Sequence, residues 1–234
     1  MIRLTKQASS APTIYTPSTL GDVAKALGVI TILATLLFLV GTQIGTDKSG
    51  LSATVAIHMG LVLELVMVGS VWVFCLRKYG QPWGILGLVA PLLNRLPLAL
   101  LVIMISVTLT VAYSYIVDLL GYEWLKPEPL ISGASKSTAY SLYLFVTLVV
   151  VAPFAEEIFF RGFMLPVLAN KWGFISGAII SSLIFAFAHG APGIIIPAFL
   201  SGLLFAWLYR YTGSLWNTCI AHGGQNALAF SAIM

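Results

Sequence analysis

Charge is scarce in this sequence. Twelve Lys and Arg and eight Asp and Glu make up 9% of the 234 residues, where ordinary soluble domains carry roughly a quarter. With 59% of the residues hydrophobic, that scarcity excludes a soluble domain, because a chain of this length cannot cover so large an apolar content with polar surface. The basic residues are spread along the chain without clustering, which excludes a nucleic-acid surface. Cysteine is nearly absent. Cys75 and Cys219 both fall in apolar runs, where a thiol packs as a small hydrophobe, so neither a disulfide framework nor a thiolate metal cluster follows. Internal repeats and low-complexity tracts are also lacking.

What the sequence does have is long apolar runs. A spanning helix needs about 20 apolar residues to cross a hydrocarbon layer of roughly 30 Å. Such runs lie near 26–45, 52–76, 96–120, 139–160, 174–189, 194–211 and 214–233. The expected fold is an all-α, polytopic integral-membrane bundle of about seven transmembrane helices, or eight if one is broken or re-entrant. Residues 1–20 read as a flexible polar tail and 21–234 as a single integral-membrane domain. Thr19 and Asp22 are spaced as a helix-opening cap. The linker 77–95 carries Gly80, Pro82, Gly84 and Gly87, which predicts a short interfacial or re-entrant piece with Trp83 at headgroup level. Alternating the spans places Arg3, Lys6, Lys25, Arg77, Lys78, Arg95, Lys171 and Arg210 on one side and Lys48, Lys126 and Lys136 on the other. Basic residues are retained in the cytoplasm, so a cytoplasmic N-terminus is expected.

Against this background one stretch stands out, VVVAPFAEEIFFRGFMLPVLA, residues 149–169. An ionisable group at the bilayer centre costs about 2.5–3.5 kcal/mol on insertion scales, so such groups face a protein interior or a wet cavity. On a helix Glu157 and Arg161 stand at i and i+4 and can neutralise each other. Glu156 is turned about 100° away and has no local partner. The division predicts a structural ion pair beside a working carboxylate; the plainer reading is an interfacial pair anchoring a helix end. Of three histidines, two follow downstream. Phe185 and His189 are four apart, as are His222 and Asn226, and Gly223 and Gly224 leave room for something to approach. A carboxylate near an imidazole can take a proton from water, and a second imidazole with an amide can donate to an oxyanion. Alternatively Glu156, His189 and His222 are the two-His, one-Glu set that holds zinc with a position open for water. Both chemistries hydrolyse an acyl or peptide bond, and the residues alone leave both open.

The motifs EEIFFRG (156–162), FAFAH (185–189) and HGGQN (222–226), in this order on apolar segments, resemble the EExxFRG, FxxxH and HxxxN motifs of the CPBP family of intramembrane proteases. That family includes the type II CAAX prenyl endopeptidases and the abortive-infection or bacteriocin-immunity proteins. The resemblance covers residues 139–234. It implies that Glu156 activates water with His189, that His222 and Asn226 stabilise the oxyanion, and that Glu157 and Arg161 are the supporting pair. It implies a glutamate-type mechanism without a metal cofactor, with divalent zinc the alternative. The expected partners are membrane lipids, a membrane-bound peptide or protein substrate and, in a scaffold reading, another membrane protein; no nucleic acid is expected. Two other classes compete with the protease. One is a non-catalytic membrane scaffold or assembly partner. The other is a proton-coupled transporter, against which the missing inverted repeat counts.

Two geometric expectations follow. Along straight helices His189 falls toward the opposite side of the membrane from Glu156 and His222, so a helix must be broken or short. Pro153 is expected to end one helix and start another carrying the glutamates, and Pro192 and Pro197 to let the His189 helix stop inside a polar cavity. His58 and Glu64 are six apart and share no face, although Glu64 could line the same cavity.

Overall fold

In lipid a backbone can satisfy its own hydrogen bonds only as a helix or a closed barrel, and the apolar runs take the helical solution. The computed structural model describes residues 15–44, 53–91, 93–127 and 138–232. Lys48, Lys136 and the tail residues Arg3 and Lys6 lie outside them. The fold is an all-helical polytopic bundle, without strands among the described residues. Among the described residues seven helices carry it: α1 (Leu20–Ile44), α2 (Ala53–Val71, continued by a π turn over Trp72–Arg77), α3 (Leu96–Leu120), α4 (Thr138–Trp172), α5 (Phe174–Ala188), α6 (Pro192–Thr212) and α7 (Leu215–Ser231). Helices α1, α2, α3, α4 and α6 are long and apolar enough to cross a membrane, while α5 is apolar but shorter.

Helix α1 opens as its sequence suggests. Asp22 Oδ2 accepts from the Thr19 amide at 3.0 Å and from its hydroxyl at 2.9 Å, and Asp22 Oδ1 accepts from Lys78 Nζ at 2.6 Å. This ties the start of α1 to the end of α2. Arg95 donates to Tyr211 Oη at 2.9 Å, and the Arg210 guanidinium lies over Phe174. One end of the bundle therefore gathers Lys78, Arg95 and Arg210, and at the other Lys126 pairs with Asp118 and Glu123.

Helix α4 runs unbroken through Pro153, against the expectation that this proline ends a helix. The reason is a π segment, Val146–Val151, immediately before Ala152–Glu157. In that wider register the Ala152 amide donates to the Thr147 carbonyl, five residues back. The carbonyl that Pro153 leaves unserved is then that of Leu148, and Asn226 Nδ2 donates to it at 2.9 Å. A side chain from α7 thus replaces the missing backbone donor and the helix need not break. A second π segment, Ile158–Met164, holds Arg161 and Gly162.

The linker between α2 and α3 folds as a short 3₁₀ turn, Trp83–Leu86, pinned to the ends of α6 and α7. The Leu86 carbonyl accepts from Tyr209 Oη at 3.0 Å and the Gly87 carbonyl from the Leu215 amide at 2.8 Å. Gly87 has φ of 80°, and a Cβ there would lie 2.6 Å from the Tyr209 ring, so only glycine permits this seam. Farther up, Ser106 of α3 donates to Gln225 Oε1 of α7 at 2.6 Å, Ser106 and Ser201 share a 2.6 Å bond, and Gln225 Nε2 donates to Ser201 Oγ at 3.2 Å. This closed ring of three polar side chains joins α3, α6 and α7 within an apolar bundle.

Candidate active site

The two glutamates of α4 sit at unequal depth in the protein. The Glu157 side chain is 0% exposed and that of Arg161 1%, whereas Glu156 keeps 18% of its side-chain surface. Arg161 Nη1 donates to Glu157 Oε1 at 2.7 Å, and Nη2 to the Gly202 carbonyl of α6 at 3.3 Å. The guanidinium also lies 4.4 Å from the Phe185 ring centroid and 5.3 Å from that of Phe205. A charge this deep survives because each side of it meets a carboxylate, a carbonyl or a π face. Gly202 is part of the device. A Cβ there would stand 2.9 Å from Ser182 Cβ and 3.3 Å from Arg161 Nη2.

His222 of α7 bridges the two glutamates. Its Nδ1 donates to Glu157 Oε1 at 3.0 Å, and its Nε2 faces Glu156 Oε2 at 3.5 Å. Phe205 stacks on its ring at 4.9 Å. Asn226, one turn on, is held by the Leu148 carbonyl. The room expected beside Gly223 and Gly224 is taken up by the protein itself: a Cβ at Gly223 would meet the Val149 carbonyl at 2.6 Å, and one at Gly224 the Ile103 side chain at 2.5 Å. Small residues here let α7 approach α4 and α3, and that approach carries His222 to the carboxylates.

His189 caps α5. At about 1.5 Å per residue, the fifteen residues of Phe174–Ala188 span about 22 Å, short of a hydrocarbon layer of roughly 30 Å. The run 174–189, expected as one of the spans, is therefore too short to cross as a straight helix; Gly190 turns the chain with φ of 68° and α6 begins at Pro192. His189 Nδ1 lies 2.9 Å from the Phe185 carbonyl. A carbonyl only accepts, so Nδ1 carries the proton, and in the neutral ring Nε2 holds the free lone pair. The Phe185 ring meets His189 edge-on at 4.8 Å and His222 at 5.7 Å, so one phenyl spaces the two imidazoles.

The structure thus brings Glu156, Glu157, Arg161 and His222 into one network and links His189 to it through Phe185. The imidazole beside Glu156 is that of His222, at 3.5 Å, whereas the family resemblance implies His189 as its partner in activating water. Phe205 and Gly202 are contributors the sequence reading missed; a small residue and a ring on α6 carry no signal apart from the partners they meet. The zinc alternative names Glu156, His189 and His222; among the described residues no three His, Cys, Asp or Glu side chains converge as ligands. His189 Nδ1 is held by a carbonyl and His222 Nδ1 by Glu157, which leaves Nε2 of each ring as the nitrogen without such a bond and is compatible with either chemistry.

Fold and site together define a polytopic helical membrane protein with a buried Glu–Arg–His centre carried mainly by its last four helices. Residues 138–228, which lie in those helices, match the family described as type II CAAX prenyl endopeptidase Rce1-like, and the resemblance read from the three motifs holds over that stretch. The chain is also 34% identical over 73 residues to a protein of Bacillus subtilis (strain 168) named "Putative membrane peptidase YdiL". The alignment covers 31% of this chain and 30% of that relative. No solved structure matches.

Proposed function

We propose that this chain is an intramembrane endopeptidase that hydrolyses peptide bonds of membrane-associated substrates. The observation that carries the proposal is the accessible Glu156 carboxylate set beside His222, over a Glu157–Arg161 pair sealed from solvent. The similarity of residues 138–228 to a family of membrane proteases supports it.

In the proposed reaction Glu156 accepts a proton from water as the water oxygen bonds to the scissile carbonyl carbon. His189, with Nδ1 fixed on the Phe185 carbonyl, partners Glu156 in this step, its Nε2 lone pair accepting from the N–H of the scissile peptide. The C=O electron pair moves onto oxygen, and two groups on α7 stabilise the resulting charge: Asn226 through its amide, and His222 through Nε2–H in its doubly protonated form, since Nδ1–H is held by Glu157. When the C–N bond breaks, the departing amine takes the proton held by Glu156. Glu157 and Arg161 fix His222 and hold a compensated charge beneath the reacting groups. No step is routed through a metal.

The basic end of the bundle is assigned to the cytoplasm on the retention of Lys and Arg there, which gives a cytoplasmic N-terminus. The partners assigned are membrane lipids and a lipid-anchored or membrane-embedded peptide, with no requirement that the anchor be a prenyl group. The test is cleavage of fluorophore–quencher peptides, carrying either a palmitoyl or a farnesyl anchor, by purified protein in liposomes. Wild type should cleave, His189→Ala should lose about 10²-fold or more in kcat, and exhaustive chelation should leave the wild-type rate unchanged. Equal rates in wild type and His189→Ala would remove His189 from the mechanism. Absence of cleavage by wild type, with the thermal midpoint intact, would favour the scaffold reading.

A further inference from the structure

Helix α2 lies outside the family-matched stretch, yet its segment packs against Ala152–Glu157 and the π turn that follows. It carries one acidic residue into the bundle, Glu64. Glu64 Oε2 is buried and has no hydrogen-bond partner, on the helix that packs against the segment carrying Glu156. A buried polar atom without a partner is uncommon in a native protein and costs stability. Nothing in the packing of α2 against α4 calls for a carboxylate; its neighbours Met67 and Val71 belong to the apolar core. Along the same α2–α4 seam Tyr143 Oη is likewise buried without a partner, with His58 stacked on its ring. Buried groups of this kind are ordinarily served by internal water.

Resting on the proteolytic reading above, we propose that Glu64 is a catalytic residue, the second carboxylate that holds the hydrolytic water. A water molecule has two protons and Glu156 can take one. An acceptor on α2 fixes the other, which aims the oxygen lone pair at the substrate carbonyl. In the reaction the O–C bond forms, the first proton passes to Glu156 and then to the departing amine, and the C–N bond breaks. The second proton stays on the water oxygen, hydrogen-bonded to Glu64, and leaves as the hydroxyl proton of the new carboxylic acid. Atoms and charge balance without a further reactant.

The test compares wild type, Glu64→Gln, Glu64→Leu and Glu156→Gln in liposomes with the anchored fluorogenic peptides, reading kcat, KM and the thermal midpoint of each. Glutamine keeps an acceptor oxygen in nearly the same place; leucine removes it. Glu64→Leu should lose at least tenfold in kcat with KM within twofold of wild type, and its midpoint should equal or exceed that of wild type. Glu64→Gln should recover at least a third of the wild-type kcat. An unchanged kcat in Glu64→Leu, while Glu156→Gln is inactive, would overturn the role of Glu64 and leave the proteolytic reading standing. So would a loss of activity accompanied by a fall in midpoint, which marks a structural residue, or equal losses in the Gln and Leu variants, which make charge the requirement. If wild type fails to cleave, the proteolytic reading falls and the role of Glu64 falls with it.

Discussion

Removing Arg161 should be among the most damaging single substitutions in this protein, and also among the most readily compensated. Arg161→Met takes away the 2.7 Å bond to Glu157 and the 3.3 Å bond to the Gly202 carbonyl, leaving a fully buried carboxylate shared only with His222. Breaking one partner of a buried pair costs about 3–5 kcal/mol, because the other charge stays desolvated. At about 2–4 °C per kcal/mol for a chain of this size, that is a fall of roughly 6–20 °C in thermal midpoint. Adding Glu157→Gln to Arg161→Met removes the stranded charge while keeping an acceptor for His222 Nδ1. The double variant should therefore recover most of the loss, with a coupling of about 2 kcal/mol or more in the double-mutant cycle. The assay is thermal unfolding of the purified protein in detergent, followed by tryptophan fluorescence. An Arg161→Met midpoint within about 2 °C of wild type, or a double variant whose loss is the sum of the singles, would refute the reasoning.

Other substitutions probe the supports of the site. Gly202→Ala forces a Cβ to within 2.9 Å of Ser182 Cβ and 3.3 Å of Arg161 Nη2; overpacking of this kind costs about 1–3 kcal/mol, so the midpoint in detergent should fall while Gly202→Ala with Ser182→Gly recovers part of it. Asn226→Leu leaves the Leu148 carbonyl unserved beside Pro153 and should lower the midpoint by the equivalent of about 1–3 kcal/mol. Pro153→Ala in the same background restores a backbone donor and should return part of that loss. At the basic end, the hydrogen bond to Asp22 raises the pKa of Lys78 above its ordinary 10.5. The stabilisation is then fully present below 10.5 and lost only as pH rises through the raised value. Asp22→Asn should therefore lower the midpoint by the same amount at pH 6 and pH 9, and a difference that grows toward pH 6 would contradict this.

Much of this was legible in the sequence, and the illegible part has a common cause. Helix positions follow from apolar run length alone, and the Glu157–Arg161 pair from i,i+4 spacing, because both are local. The run 174–189 was also countable: expected as a span, its fifteen helical residues are too few to cross the hydrocarbon. Pro153 did not. Its effect depends on the π register of Val146–Val151 and on a donor 73 positions away, and neither is encoded in the proline or its neighbours. The same holds for the glutamate–histidine pairing. Which imidazole meets Glu156 is set by how closely α7 approaches α4, and that rests on Gly223 fitting against the Val149 carbonyl. Glycines first read as space for a ligand are contact points between helices.

The central claim is that Glu156 is the base of a peptide hydrolase within the membrane, and one comparison tests it most directly. Wild type and Glu156→Gln are reconstituted in liposomes and the release of product from the anchored fluorogenic peptide is timed. Glutamine preserves the shape and the contact to His222 but cannot take a proton, so kcat should fall by about 10²-fold to 10⁴-fold with the thermal midpoint unchanged. Cleavage by Glu156→Gln at the wild-type rate would contradict the account.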